Sequence, residues 1–141
     1  MKIVFFGATE LGYKCCRLIV EEKLADVCGI FTIPKEFNIS YSQKPVNNVN
    51  YADFRDFEKE FGIPVKEVTG NMKSYTADIG ALAPDLILVI GWYYMVPKQI
   101  RDLAPKGCAG MHASLLPKYR GGAPLVWAVI NGETKTGLSF F

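Results

Sequence analysis

Histidine is nearly missing from this chain: His112 is the only one. Cysteine is sparse as well, with four residues at 15, 16, 28 and 108 and no CxxC or Cys/His pair among them. That spacing argues against a zinc site or a disulfide framework and fits reduced thiols in a cytoplasmic protein. Excess charge of either sign is lacking too. Sixteen Lys and Arg against fourteen Asp and Glu give a net charge of +2, which supplies no strong nucleic-acid signal and no general attraction to an anionic membrane. No apolar run approaches the length of a membrane span, and Met1-Lys2 precedes only Ile3 to Phe6 before Gly7, too little for a secretory signal. Repeats and low-complexity tracts do not occur. What the 141 residues do contain is 50% hydrophobic side chains and 21% charged ones, a composition that builds the core of one domain and excludes a disordered chain.

The apolar residues fall into alternating strand-like and helix-like segments. Lys2 to Phe6 is a β-branched and aromatic run without alternation, the pattern of a parallel strand covered on both faces. Thr9 is placed to cap a helix whose apolar positions are Leu11, Cys15, Leu18 and Ile19. Asp26 to Thr32 reads as a second strand, and Pro34 to Asn50, rich in Asn, Ser, Lys and Pro, as a long surface loop. Tyr51 to Phe61 carries a helical pattern closed by Gly62 and Pro64. Val65 to Val68 then reads as a third strand and Met72 to Leu82 as a helix. Asp85 to Ile90 is the strongest strand signal, followed by Gly91 and three aromatics, with Pro97 expected at the first position of a short helix. Gly107 to His112 reads as a fifth strand, and a loop marked by proline and glycine runs through Gly122. Pro124 to Ile130 is helical, Asn131-Gly132 stops it, and Thr136 to Phe141 opens a last strand.

This alternation predicts an α/β domain: a Rossmann-like, doubly wound, mostly parallel sheet with helices on both faces. Ligands of such sheets sit beyond the carboxyl ends of the strands. That rule brings forward the segments 7–9, 91–95 and 112–122. Phe141 ends the chain inside an apolar strand run, from which a domain cut short at its C-terminal end is expected; the plainer reading is a terminal edge strand.

Three motifs carry possible chemistry. Gly7-Ala8-Thr9-Glu10-Leu11-Gly12 has the outline of a dinucleotide fingerprint, but Thr9 stands where a glycine would admit a pyrophosphate, and Thr32 offers no acid for a ribose. A tight turn with a threonine cap and a glycine for close helix packing explains it better. His112, alone, is more often structural than catalytic. Its position at a strand's carboxyl end, before a loop stiffened by Pro117, Gly121, Gly122 and Pro124 and rimmed by Lys118, Tyr119 and Arg120, suits a positioned acid–base group. Gly91 to Pro97 is either the edge of a hydrophobic core or a pocket wall whose backbone groups bind a planar heterocycle beside Trp92, Tyr93 and Tyr94.

Together these segments resemble the folate-dependent formyltransferase family. The likeness is carried by HASLLPKYRGGAPLVWAVINGETKTG from His112 to Gly137, by KIVFFG at 2–7, and by DLILVIGWYYMVPKQI at 85–100. The resemblance implies an N-terminal catalytic domain over residues 1–141. Its activity would be transfer of a formyl group from 10-formyltetrahydrofolate, as co-substrate and without a metal, to a primary amine. The acceptor would be an amino-sugar nucleotide, another small amine or the aminoacyl end of methionyl-tRNA. By position it implies that His112 is catalytic and that Gly91, Trp92, Tyr93, Tyr94, Met95 and Val96 line the pterin pocket. Ser114, Leu115, Leu116, Pro117, Arg120 and Gly121 would form the substrate loop. Two departures stand out. Gly110 occupies the position of the family's catalytic asparagine, two residues before the histidine, and no residue here matches the family's catalytic aspartate. Weak turnover is therefore expected, and a folate-binding module without transfer is the alternative; an oxidoreductase fragment is disfavoured by Thr9.

Overall fold

In the computed structural model, which describes residues 1–38 and 43–141, the first apolar run forms β1 (Lys2–Phe6), with Val4, Phe5 and Phe6 withdrawn from solvent. The described chain divides into two units, Met1–Cys108 and Ala109–Phe141. In the first unit β1 leads through α1 (Glu10–Glu21) to β2 (Asp26–Thr32), and both strands have the limits expected from sequence. There follow β3 (Glu36–Phe37), β4 (Val46–Asn47), α2 (Arg55–Phe61) and β5 (Val65–Glu67). A 3-10 turn (Met72–Tyr75), α3 (Thr76–Ala81), β6 (Leu86–Val89) and α4 (Lys98–Arg101) complete the unit.

Four of these strands form a parallel sheet in the order β5-β2-β1-β6. Alternation along β1 sends Val4 and Phe6 to one face, where they join Phe31, Val68, Ile79, Ile87 and Ile100 in a buried cluster. Phe5 faces the other way, toward Phe54, which with Phe57 receives Tyr13 of α1 edge-on. Helices thus cover both faces of the sheet, as the unbroken apolar strands require.

Four expectations need correction. The apolar stripe read onto α1 is not its buried face: Gly12 and Cys16 are buried, while Leu11 and Leu18 are about half exposed. The stretch 34–50 is not a plain surface loop, since β3 pairs antiparallel with β4 and both Phe37 and Asn48 are buried; positions 39–42 lie outside the described residues. The helix expected from Tyr51 starts only at Arg55, because Tyr51 bridges Thr9 in extended form and Asp53 accepts the Arg55 N–H in a turn. Pro97 is the N-cap of α4 with extended backbone, not its first residue.

The second unit takes most of β7 (Cys108–His112), then α5 (Pro124–Ile130) and β8 (Ser139–Phe140). The last strand is shorter than the sequence predicts, and it pairs antiparallel with β7, Met111 opposite Phe140 and His112 opposite Ser139. Among the described residues no helix is long and apolar enough to cross a membrane.

Candidate functional site

The turn after β1 is built around small residues. Thr9 has extended backbone and accepts the Gly12 N–H on its hydroxyl at 3.3 Å, the N-cap expected from sequence. A Cβ on Gly12 would stand 2.4 Å from the Ile90 carbonyl oxygen, so the glycine lets α1 approach the end of β6. Gly91 makes the same point more sharply. Its φ is +67°, and a Cβ there would lie 1.9 Å from the Thr9 hydroxyl.

From Gly91 the chain runs through Trp92, Tyr93, Tyr94, Met95 and Val96 without helix or strand. Trp92 stacks on Phe6 with centroids 5.3 Å apart and receives Tyr94 edge-on at 5.9 Å. Trp92, Tyr94 and Val96 pack against the buried cluster, Tyr93 packs on Phe37, and Met95 is 91% exposed. Part of this segment is therefore core edge. Its backbone is less committed: among the described residues only the Gly91 carbonyl takes a hydrogen bond, from Ala8 N–H. Among the described residues the buried indole N–H of Trp92 has no partner, nor has the buried Thr32 hydroxyl. A buried donor left in this state costs about 1–3 kcal/mol. Amides and an indole N–H without partners among the described residues are suited to holding a planar, acceptor-rich ring.

Sequence reasoning did not find Asn48, which organises this region. It is buried, donates to the Ala8 carbonyl at 2.7 Å, and accepts from the Tyr93 hydroxyl at 2.8 Å and from Asn50 N–H at 3.1 Å. Burial raises the Tyr93 phenol above its ordinary range, keeping it a donor. The signal in the sequence was only an Asn-rich stretch.

In the second unit His112 is the last residue of β7 and is half-buried. Its Nε2 lies 2.9 Å from the Tyr119 carbonyl oxygen. A carbonyl can only accept, so Nε2 carries a proton, and whenever the ring is neutral its lone pair lies on Nδ1. The loop from Ser114 to Gly121 is tied internally. The buried Ser114 hydroxyl donates to the Lys118 carbonyl, Ser139 donates to the Ser114 carbonyl, and Leu116 N–H donates to Ser139. Ser114 is thus occupied in shaping the loop. Leu115 lies against Gly137, where a Cβ would meet it at 2.6 Å, and Leu116–Pro117 is cis. Pro117, Arg120 and Gly121 are exposed. Tyr119, expected as a rim donor, instead gives its hydroxyl to Glu133 at 2.7 Å. Among the described residues no cluster of His, Cys, Asp or Glu is arranged to hold a metal ion.

The formyl transferase profile matches residues 1–141, the whole chain. The chain belongs to the formyl transferase family. A methionyl-tRNA formyltransferase of Clostridioides difficile (strain 630) is 35% identical over 143 residues, covering 99% of this chain and 43% of that protein. Another, of Pelobacter propionicus, is 50% identical over 140 residues, covering 97% of this chain and 41% of its own length. The chain therefore spans about two-fifths of the length of these curated relatives. A solved phosphoribosylglycinamide formyltransferase from Bacillus halodurans superposes with a TM-score of 0.72 at 16% identity, over 99% of this chain and 70% of that one. A sugar N-formyltransferase from Shewanella does so with 0.64 at 12%, over 99% and 50%. At such identities the likeness is one of fold, and the fold is the Rossmann-like one expected. Gly110 is buried in β7 of this formyl transferase chain, with its N–H and C=O both paired to Phe141.

Proposed function

We propose that this chain carries the chemistry of an N-formyltransferase, moving the formyl group of 10-formyltetrahydrofolate to a primary amine with His112 as the catalytic residue. In this reaction the acceptor nitrogen attacks the formyl carbon, and its bond to that carbon forms. The bond from carbon to the folate nitrogen breaks, and one proton passes from the acceptor to the leaving nitrogen. His112 supports this role because its Nε2–H is held on the Tyr119 carbonyl, which leaves the Nδ1 lone pair to accept that proton. This single observation carries the reading. The amides of 92–96 and the Trp92 N–H, without partners among the described residues, support a pterin-binding wall over Gly91 to Val96. Ser114 to Pro117, Arg120 and Gly121 would frame the acceptor, the serine by shaping the loop.

The curated relatives' own names favour methionyl-tRNA as the first acceptor to test. An amino-sugar nucleotide comes next, and the purine-pathway amine third. The proposed setting is the cytoplasm. Gly110 favours a second reading, a folate-binding module that transfers slowly or not at all, because a glycine has no side-chain amide for the developing oxyanion.

Single-turnover transfer from labelled 10-formyltetrahydrofolate to these acceptors tests both. Transfer that falls roughly a hundredfold or more in His112→Ala, and rises in Gly110→Asn, supports the enzyme. Transfer untouched by His112→Ala overturns the assigned role. Tight binding of a folate analogue with no transfer to any acceptor establishes the second reading.

A further inference from the structure

Residues 109–141 contain a single acidic side chain, Glu133, among Lys118, Arg120 and Lys135. That carboxylate grips two consecutive residues of the loop after His112: the Tyr119 hydroxyl at 2.7 Å and the Lys118 ammonium at 2.5 Å. Lys118 is fixed a second time through its carbonyl, which accepts from Ser114. Tyr119 has a φ of 54°, in the left-handed region that bulky side chains avoid. Such a conformation persists only where its surroundings over-determine it. Here they do, since the tyrosine is held at its hydroxyl by Glu133 and at its carbonyl by His112. The direction of that carbonyl decides which imidazole nitrogen bears the proton.

From this chain of contacts we infer that Glu133 is a positioning residue for His112, acting through Tyr119 to keep the proton on Nε2 and the lone pair on Nδ1. The inference rests on the catalytic reading of His112 for its purpose but not for its test. An ion pair that merely closed the loop would steady residues 114–121 without altering the ring.

The chain's only histidine makes the ring a unique reporter in a uniformly 15N-labelled sample. At a pH where the ring is neutral, the 1H–15N couplings identify the protonated nitrogen, and solvent exchange of its proton reports how firmly it is held. The intact protein is expected to show Nε2–H with slowed exchange. Glu133→Ala and Tyr119→Phe are each expected to speed that exchange roughly tenfold or more, the loss anticipated when a supporting hydrogen bond goes. Tyr119→Phe removes one hydroxyl and keeps both the carbonyl and the carboxylate, so it decides the matter even if Glu133→Ala unfolds the unit. Protection unchanged in Tyr119→Phe, or a proton found on Nδ1 of the intact protein, overturns the inference. Formyl transfer that survives His112→Ala would instead overturn the proposed function and leave the ring measurement standing.

Discussion

Asn48 donates its side-chain amide to the main-chain carbonyl of Ala8 at 2.7 Å, joining residues 40 apart in sequence at the edge of the parallel sheet. The same side chain accepts from Tyr93, so one amide ties the turn after β1 to the 91–96 segment. Asn48→Ala takes the acceptor from the Tyr93 phenol and one of two donors from the Ala8 carbonyl, which keeps the Ala52 N–H, and is expected to lower stability by about 2 kcal/mol. Tyr93→Phe deletes one of these bonds and is expected to cost about 1 kcal/mol. Urea unfolding of the two variants and their combination checks this; the double variant should fall short of the sum.

The interlock of Thr9 and Gly91 gives a coupled pair. Gly91→Ala drives a methyl into the Thr9 hydroxyl and forces a side chain to φ +67°, for an expected loss of about 3 kcal/mol or more. Thr9→Ala alone removes the cap of α1 and should cost about 1 kcal/mol. In that background the nearest remaining contact is Thr9 Cβ at 3.0 Å, so Gly91→Ala becomes cheaper. A double-mutant cycle is expected to return a coupling of at least about 1 kcal/mol. Additive losses would contradict the contact.

Ala123 caps α5 with φ 50° and ψ 50° and no side-chain hydrogen bond, and it is exposed. Ala123→Gly relieves the left-handed backbone at an open position and is expected to raise stability by roughly 0.5–1 kcal/mol in the same urea assay.

The Lys118 ammonium, and after it the Tyr119 hydroxyl, hold the Glu133 carboxyl below its ordinary value of 4.5. A carboxyl lowered on folding adds stability above its unfolded pKa and loses it as pH falls through the folded one. Glu133→Gln should therefore be less stable than the parent at pH 7, and the difference should shrink below pH 4.5. Unfolding midpoints measured from pH 7 to pH 3 test the sign; a difference that widens toward acid would refute it.

Cys16 is buried in α1, and burial, with Cys15 beside it, pushes its thiol up to about 12. At pH 8 its thiolate fraction is on the order of one in ten thousand. Iodoacetamide should leave it unlabelled in the folded protein and label it in denaturant, as mass spectrometry of the peptides would show.

The strands were legible because β1 and β2 bury both faces, which leaves continuous apolar runs with sharp ends. Thr9 and Gly12 were legible as cap and packing glycine for a related reason: turn chemistry is local. The face of α1 was not. Its contact with the end of β6 is made by the absence of a side chain at Gly12, and a count of large apolar residues points to Leu11 and Leu18 instead. The pair β3 and β4 escaped because two-residue strands have no period to read, and Phe37 and Asn48 were hidden in polar sequence. At the candidate site His112 was placed at a strand end, where it lies. Its partner was beyond reach, since a backbone carbonyl leaves no mark on residue type, and Glu133 shows its role only once the loop has folded back onto it.

The close fit of Thr9 beneath Gly91 also bears on how this lineage can vary. Position 91 has no neutral first step while threonine stands at 9; position 9 can drift at modest cost and so lessen the barrier at 91, although the positive φ there still disfavours a side chain. Exchanges at the two sites should arrive in that order, and descendants that keep the threonine should keep the glycine.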